Sequence, residues 1–197
     1  MTQRADHHAI ASRVARGSRV LDVGCGDGEL LALLRDNQGV DARGLELDSD
    51  EAGRAVARGL SVVQGNADSD LEIFPDNAFD VAILSKAIQH MLRPDLVLSE
   101  LTRLAPRVII SFRNYGHWSR RLSLLIGGRM PAEPEWFADS VLHPCTVTDM
   151  LTLARHTGLV PVAAAAVRRQ SIGAFRQSGF GQLNWLADDV IAEFARE

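Results

Sequence analysis

Two rhythms alternate along the chain. Short runs at Arg19–Val23, Asp41–Leu47, Leu60–Gln64, Phe79–Leu84 and Arg107–Phe112 have the length and spacing of strands. Between them, Gly28–Arg35, Asp50–Arg58 and the stretch from Pro94 to about Leu104 carry apolar residues at helical spacing. Pro94 suits a first helical turn, and Val97, Leu101 and Leu104 mark the face that packs inward. Strands that alternate with helical crossovers specify a parallel sheet, and strands apolar on both faces fit a sheet covered on both sides. Leu159–Val167 and Val190–Phe194 supply two last strands. The expected fold is α/β: a doubly wound, mostly parallel, seven-stranded sheet with helices on both faces, in one domain spanning 1–197.

Three segments depart from this rhythm. Met1–Arg16 is polar and helical in pattern. The stretch at about 113–145, rich in Gly, Pro, Trp and Arg, reads as an inserted lid or partner segment with a helix over Ser119–Ile126. Thr146–His156 then reads as a helix with Thr146 or Thr148 as its cap and Gly158 as its stop. Arg168–Gly181 is polar and glycine-containing, and reads as a mobile loop.

The chemistry concentrates at Val20-Leu21-Asp22-Val23-Gly24-Cys25-Gly26-Asp27-Gly28, which follows a strand and opens a helix. The glycines let backbone approach a ligand closely, and the helix start presents free N–H groups. A dinucleotide fingerprint reads G-x-G-x-x-G. Here the spacing is G-x-G-x-G, with Asp22 before it. An acid there is a poor neighbour for pyrophosphate and a good one for the amino group of an amino acid. Glu46 ends the second strand, where a carboxylate accepts ribose hydroxyls. Strand, Asp, glycine loop, helix, strand and Glu in that order point to S-adenosylmethionine (SAM) or S-adenosylhomocysteine on a class I methyltransferase-type, Rossmann-like fold. Candidate contacts are Asp22, Gly24, Cys25, Gly26, Gly28, Glu46 and Leu47. Asn66 and Ala67 follow the third strand, and Ser85 and Gln89 follow the fourth. Asn66 suits either the adenine amino group or a turn. His90 is a conceivable base and more simply a surface group, so no catalytic residue is assigned.

Composition narrows the partners. The net charge of −4 argues against nucleic acid. No stretch is long and apolar enough to span a bilayer or act as a signal peptide, and the cytoplasm is the expected location. Cys25 and Cys145 form no disulfide framework, and His143 with Cys145 makes a poor metal site, so no metal is expected.

Several segments are more specific. Pro75-Asp76-Asn77-Ala78-Phe79-Asp80, Ile83-Leu84-Ser85, Ser111-Phe112-Arg113-Asn114-Tyr115-Gly116-His117-Trp118, Gly127-Gly128-Arg129-Met130-Pro131 and His143-x-Cys145-Thr146-Val147 together resemble the MetW family of methionine-biosynthesis proteins. The chain departs from that family at Arg113, where Pro is commoner, and at Asn66, where Asp is commoner. The resemblance implies a SAM-binding partner and regulator of homoserine O-acyltransferase (MetX), and with it a hetero-oligomer. Trp118, Arg120, Arg121, Arg129 and Met130 are the candidate partner contacts, being residue types that carry interface energy. The alternative is a working methyltransferase on an unknown small molecule, whose arginine-bearing lining would suit an anionic acceptor.

Overall fold

The computed structural model describes residues 2–128, 141–168 and 171–197, with the side chains of 2–4 left aside. Eight strands form one sheet: β1 (Arg19–Val23), β2 (Asp41–Glu46), β3 (Ser61–Gln64), β4 (Val81–Ser85), β5 (Arg107–Arg113), β6 (Leu159–Arg168), β7 (Ser171–Ile172) and β8 (Asp189–Arg196). Their order is β3-β2-β1-β4-β5-β8-β6-β7. The first five are parallel, and β8, β6 and β7 continue the sheet antiparallel. The order reverses between β1 and β4, which opens a crevice at the carboxyl ends of these strands.

The fold class agrees with the sequence reading, and the strand count exceeds it by one. The extra strand corrects the expectation of a mobile loop over Arg168–Gly181. There β7 pairs with the end of β6, Arg176 bridges Ala164, and α7 (Phe180–Leu186) begins inside the segment. The polar composition concealed this because β7 is short and lies at the sheet edge. The outer strand β3 likewise departs from the two-sided apolar pattern, being mostly exposed.

Helices cover both faces. On one face α4 (Pro94–Leu104), α6 (Val147–His156) and α7 pack on Leu21, Leu84, Ile110 and Phe112. On the other, α1 (Thr2–Ala11) and α2 (Glu29–Gln38) pack on Val20, Val81, Ile83 and Ile109. α3 (Ser49–Ala57) covers the outer strands, started by Asp48, whose carboxylate accepts from the Asp50 and Glu51 N–H groups. Thr146 and Asp149 form a reciprocal cap at the start of α6, which settles the choice between Thr146 and Thr148. Among the described residues, no helix is long and apolar enough to cross a membrane.

What fastens the N-terminal helix matters for the crevice. Asp6 and Ile10 lie one turn apart on its inward face, and both are buried. Just beyond the helix, Arg13 reaches Glu193 of β8 (Nε to Oε2, 2.7 Å), and Arg107 of β5 holds the other oxygen of the same carboxylate at 3.0 Å through its Nε. Glu193 is buried, and two cations share its charge, so removing both would strand it. Glu193→Ala leaves two arginines that remain about one-third exposed and can turn to water. We expect Glu193→Ala to lower unfolding free energy by about 2–3 kcal/mol, below the range for a fully buried pair. Urea titration checks this, and α1 amides should lose hydrogen-exchange protection first.

Candidate functional site

The glycine loop joins the end of β1 to α2 at the crevice. Gly24, Gly26 and Gly28 all have left-handed backbone, with φ of 72°, 55° and 80°. At Gly28 packing adds a second constraint: a Cβ there would lie 2.3 Å from Leu60 Cδ1. Gly44 on β2 is equally confined, since a Cβ would meet Cys25 Sγ at 2.4 Å. Around Gly26 nothing lies within 4 Å of where a Cβ would stand, so the loop's middle faces open space.

Two carboxylates frame that space. Glu46, at the end of β2, accepts from the Gly26 N–H at 2.7 Å through Oε2 and from the Asp48 N–H at 2.9 Å through Oε1. It thus holds the loop against the start of α3 while each oxygen keeps a lone pair for a ligand. Asp22 is only 1% exposed, and its Oδ1 has no hydrogen-bond partner among the described residues. Burial pushes its pKa up to about 8, with the nearby Glu46 charge adding to the effect.

A cavity of about 380 Å³ lies over this loop. Of the candidate contacts, Asp22, Gly24, Cys25, Gly26 and Ser85 line it, whereas Gly28, Glu46, Leu47, Asn66, Ala67 and Gln89 are not among its lining residues. Asp6 and His7 of α1 and Lys86 after β4 also line it, which sequence reasoning missed. The available signal was Asp6 itself, a charged residue one turn before Ile10 on an otherwise apolar helix face. Asp6 pairs with Lys86 Nζ at 2.8 Å. Burial lowers the pKa of His7, partly countered by Glu29 and Asp6, which favours its neutral form at neutral pH. Asp27, Glu29 and Glu51 add further acid, against Arg54. Glu51 pairs with Arg54 and Asp27 with Arg58, so most of these acids carry a cationic partner.

Other candidates sit elsewhere. Asn66 adopts the turn role, its Oδ1 accepting from the Asp68 N–H at 2.9 Å, and Ala67 packs at the edge of the core. Asp68 grips the Leu92 and Arg93 N–H groups. Leu47 is exposed beyond Glu46. Gln89 is buried, its amide donating to the Arg113 carbonyl and accepting from the Arg113 N–H, which ties the chain after β4 to the end of β5. His90 lies on the surface. Cys25 lies at a helix start, yet burial raises its thiol pKa strongly, and burial pushes Cys145 up to about 12; both favour the neutral, unreactive thiol. Among the described residues no three His, Cys, Asp or Glu side chains gather as metal ligands.

After β5 the chain is fixed by Asn114, fully buried, whose Nδ2 donates to the carbonyls of Leu183, Asn184 and Ala187. α5 (Trp118–Gly127) then projects with no buried residue, leaving Trp118 50%, Leu125 82% and Ile126 77% exposed. Arg120 donates to the carbonyls of Asn114 and Asp188, and Arg121 donates to Gly116 O and stacks 4.3 Å over the Trp185 ring. Both guanidinium groups hold the base of α5 in place. Arg129 and Met130 lie outside the described residues.

Asp22 sets a pH dependence. Its native pKa near 8, against the ordinary 3.8, means the folded chain binds this proton more tightly than the unfolded one. The resulting stability is fully present below the unfolded value and is lost as pH rises through 8. Asp22→Asn keeps the neutral shape without the proton. The ligand-free variant should therefore melt above wild type, with a gap that widens from pH 5 to pH 8. Calorimetric melts at both values check this; a gap that is absent or narrows with pH would show that Asp22 is not buried in this way.

Comparison with known proteins fits this geometry. The family model described as "Methionine biosynthesis protein MetW" matches residues 4–192. A Rhodopirellula baltica protein, "Bifunctional methionine biosynthesis protein MetXA/MetW", is 30% identical over 145 residues, 70% of this chain and 23% of that protein. A Stenotrophomonas maltophilia ubiquinone/menaquinone biosynthesis C-methyltransferase, UbiE, is 31% identical over 50% of this chain and 42% of its own length. This chain thus spans less than half of either relative. Among solved structures, a Thermotoga maritima protein described as a SAM-dependent methyltransferase and possible histamine N-methyltransferase superposes with a TM-score of 0.75 at 17% identity, covering 98% of this chain and 89% of that one. A Mesorhizobium loti SAM-dependent methyltransferase gives a TM-score of 0.69 at 16% identity, covering 98% of both chains. The glycine loop and doubly wound sheet carry the fold of SAM-dependent methyltransferases, and the match across nearly the whole chain places it in the MetW family of methionine biosynthesis proteins.

Proposed function

We propose that the pocket over the glycine loop binds SAM or S-adenosylhomocysteine, and that the chain acts in methionine biosynthesis as a partner and regulator of a homoserine O-acyltransferase. The observation that carries the partnership is the R. baltica relative, whose name joins MetXA and MetW in one polypeptide. The acids support the ligand. Asp22 offers a lone oxygen to an ammonium group, and Glu46 offers its remaining lone pairs to a ribose diol. Asn66, following the third strand, would offer the remaining lone pair of its Oδ1 to an adenine amino group. SAM is made from methionine, so a SAM-sensitive partner would let the end product tune an early step. Such tuning requires that the complex and the free chain differ in SAM affinity.

α5 is the surface that suits a protein partner. Its apolar side chains Trp118, Leu122, Leu125 and Ile126 are exposed together, with Trp185 beside them. The arginines at its base brace the helix, which moves the expected binding energy from Arg120 and Arg121 to Trp118 and its aliphatic neighbours.

A second reading, a SAM-dependent methyltransferase acting on a small molecule, is favoured by the UbiE relative. SAM supplies an activated methyl group, so the protein would chiefly align the acceptor. Release of S-adenosylhomocysteine with turnover would mark this reading.

Titration against purified homoserine O-acyltransferase, with and without SAM, tests the first. Trp118→Ala and Leu125→Asp should each weaken the complex by roughly thirtyfold, the effect of losing an interface anchor worth about 2 kcal/mol. Melting temperature should change little, because no residue of α5 is buried in the core. Absence of any complex at micromolar concentration would overturn the partnership, and wild-type affinity in both variants would remove α5 from it.

A further inference from the structure

A second cavity, of about 240 Å³, lies between the β6–β7 hairpin, the chain that follows it and α7, and it shares no residue with the cavity over the glycine loop. Arg168 and Arg176 line it, and Ala166, Ile172, Leu183 and Leu186 give it apolar walls. No carboxylate lines it, in a chain with 25 Asp and Glu against 21 Lys and Arg. Among the described residues neither guanidinium group is in an ion pair.

Both arginines are instead held by uncharged acceptors on one helix. Arg168 Nε donates to the Leu186 carbonyl at 2.8 Å, and Arg176 Nη1 donates to Gln182 Oε1 at 3.1 Å. Gln182 and Leu186 stand one turn apart in α7, and both line the cavity, so the two cations reach the same side of the helix. Their backbones are fixed as well. Arg168 ends β6 opposite Ser171, and the N–H and carbonyl of Arg176 both pair with Ala164. Each guanidinium group uses one N–H on its anchor and keeps the others. Arg168 sits at the carboxyl end of α7, where a cation complements the helix dipole, but Arg176 sits by the first turn, where the same dipole opposes it. Capping of α7 therefore accounts for one arginine and not for the other.

We propose that this cavity binds a small carboxylate with an apolar body, its anionic end bridging Arg168 and Arg176 and its hydrocarbon part against Ile172, Leu183 and Leu186. The charged end follows from two anchored guanidinium groups, whose N–H forks match carboxylate oxygens. The body follows from the walls, which an inorganic anion would leave facing water. An α-ammonium group would find no acid here, and that disfavours amino acids. The volume lies below the roughly 300–1,000 Å³ of pockets for drug-sized ligands, so the occupant is small. The site is separate from the SAM pocket and does not depend on that reading.

Calorimetry on the full chain with 4-methylpentanoate tests this, compared with leucine, which adds an α-ammonium group to the same skeleton, and with inorganic phosphate. The expected result is saturable binding of 4-methylpentanoate with a Kd on the order of a millimolar, what a ligand of this size supplies. Leucine and phosphate should bind about tenfold more weakly or not at all. Arg168→Gln and Arg176→Gln should each weaken 4-methylpentanoate about tenfold or more, the effect of losing a hydrogen bond to a charged group. Arg155→Gln, at an exposed arginine of α6 outside the cavity, should leave it unchanged. A melt of each variant shows whether it folds; if Arg168→Gln loosens α7, Arg176→Gln still carries the test, since its side chain anchors only to Gln182. No saturation by about 10 mM, tenfold above the expected Kd, would overturn the proposal. Affinity for leucine or phosphate equal to that for 4-methylpentanoate would overturn it too, as would wild-type affinity in folded Arg176→Gln or an equal loss in Arg155→Gln.

Discussion

The buried carboxyl group of Asp22 is the constraint on which the rest of this structure turns. It lies at the last turn of the pleat in β1, where the strand order reverses, one residue past Leu21 in the core and two before Gly24. Its Oδ1 is buried and meets no donor among the described residues. Glu46 stands near enough to raise its proton affinity further. A fold selected for stability alone would place an apolar or amide side chain here. Strain and unsatisfied groups concentrate where a ligand is bound, and the left-handed backbone of Gly24, Gly26, Gly28 and Lys86 gathers at this same place.

That cluster accounts for which parts of the molecule were legible in sequence. The parallel core was, because Arg19–Val23 and Arg107–Phe112 are apolar on both faces and Pro94 fixes a helix start. The glycine loop was, because its residues admit few other backbone shapes. The N-terminal helix contribution was not: Asp6 is one polar residue on a short helix, and its meaning depends on a lysine 80 residues away. The short edge strand β7 escaped because two residues carry no periodicity. Gln89 was read toward the ligand from its position after β4, yet its amide closes on the backbone of Arg113, a tertiary pairing that spacing does not reveal.

The two halves of the proposed function occupy separate regions joined by rigid parts. Asn114 locks the end of β5 to α7, and from that anchor α5 points outward. β5 also carries Ser111, whose hydroxyl and carbonyl hold Lys86 at the cavity. One strand therefore supports the ligand wall at one residue and the exposed helix a few residues later. Coupling between them, if measured, has a short covalent route, though a route alone does not make an allosteric device without two states that both sites bias.

The most direct measurement is the carboxyl ¹³C titration of Asp22, assigned with Asp22→Asn, in the ligand-free chain and under saturating SAM. The expected result is a midpoint near 8 without ligand. It should fall by on the order of a unit or more with SAM, because a cation beside the carboxyl group favours its charged form. A midpoint in the ordinary carboxylate range without ligand, or one that SAM leaves unmoved, would contradict the claim that this buried acid awaits an ammonium group.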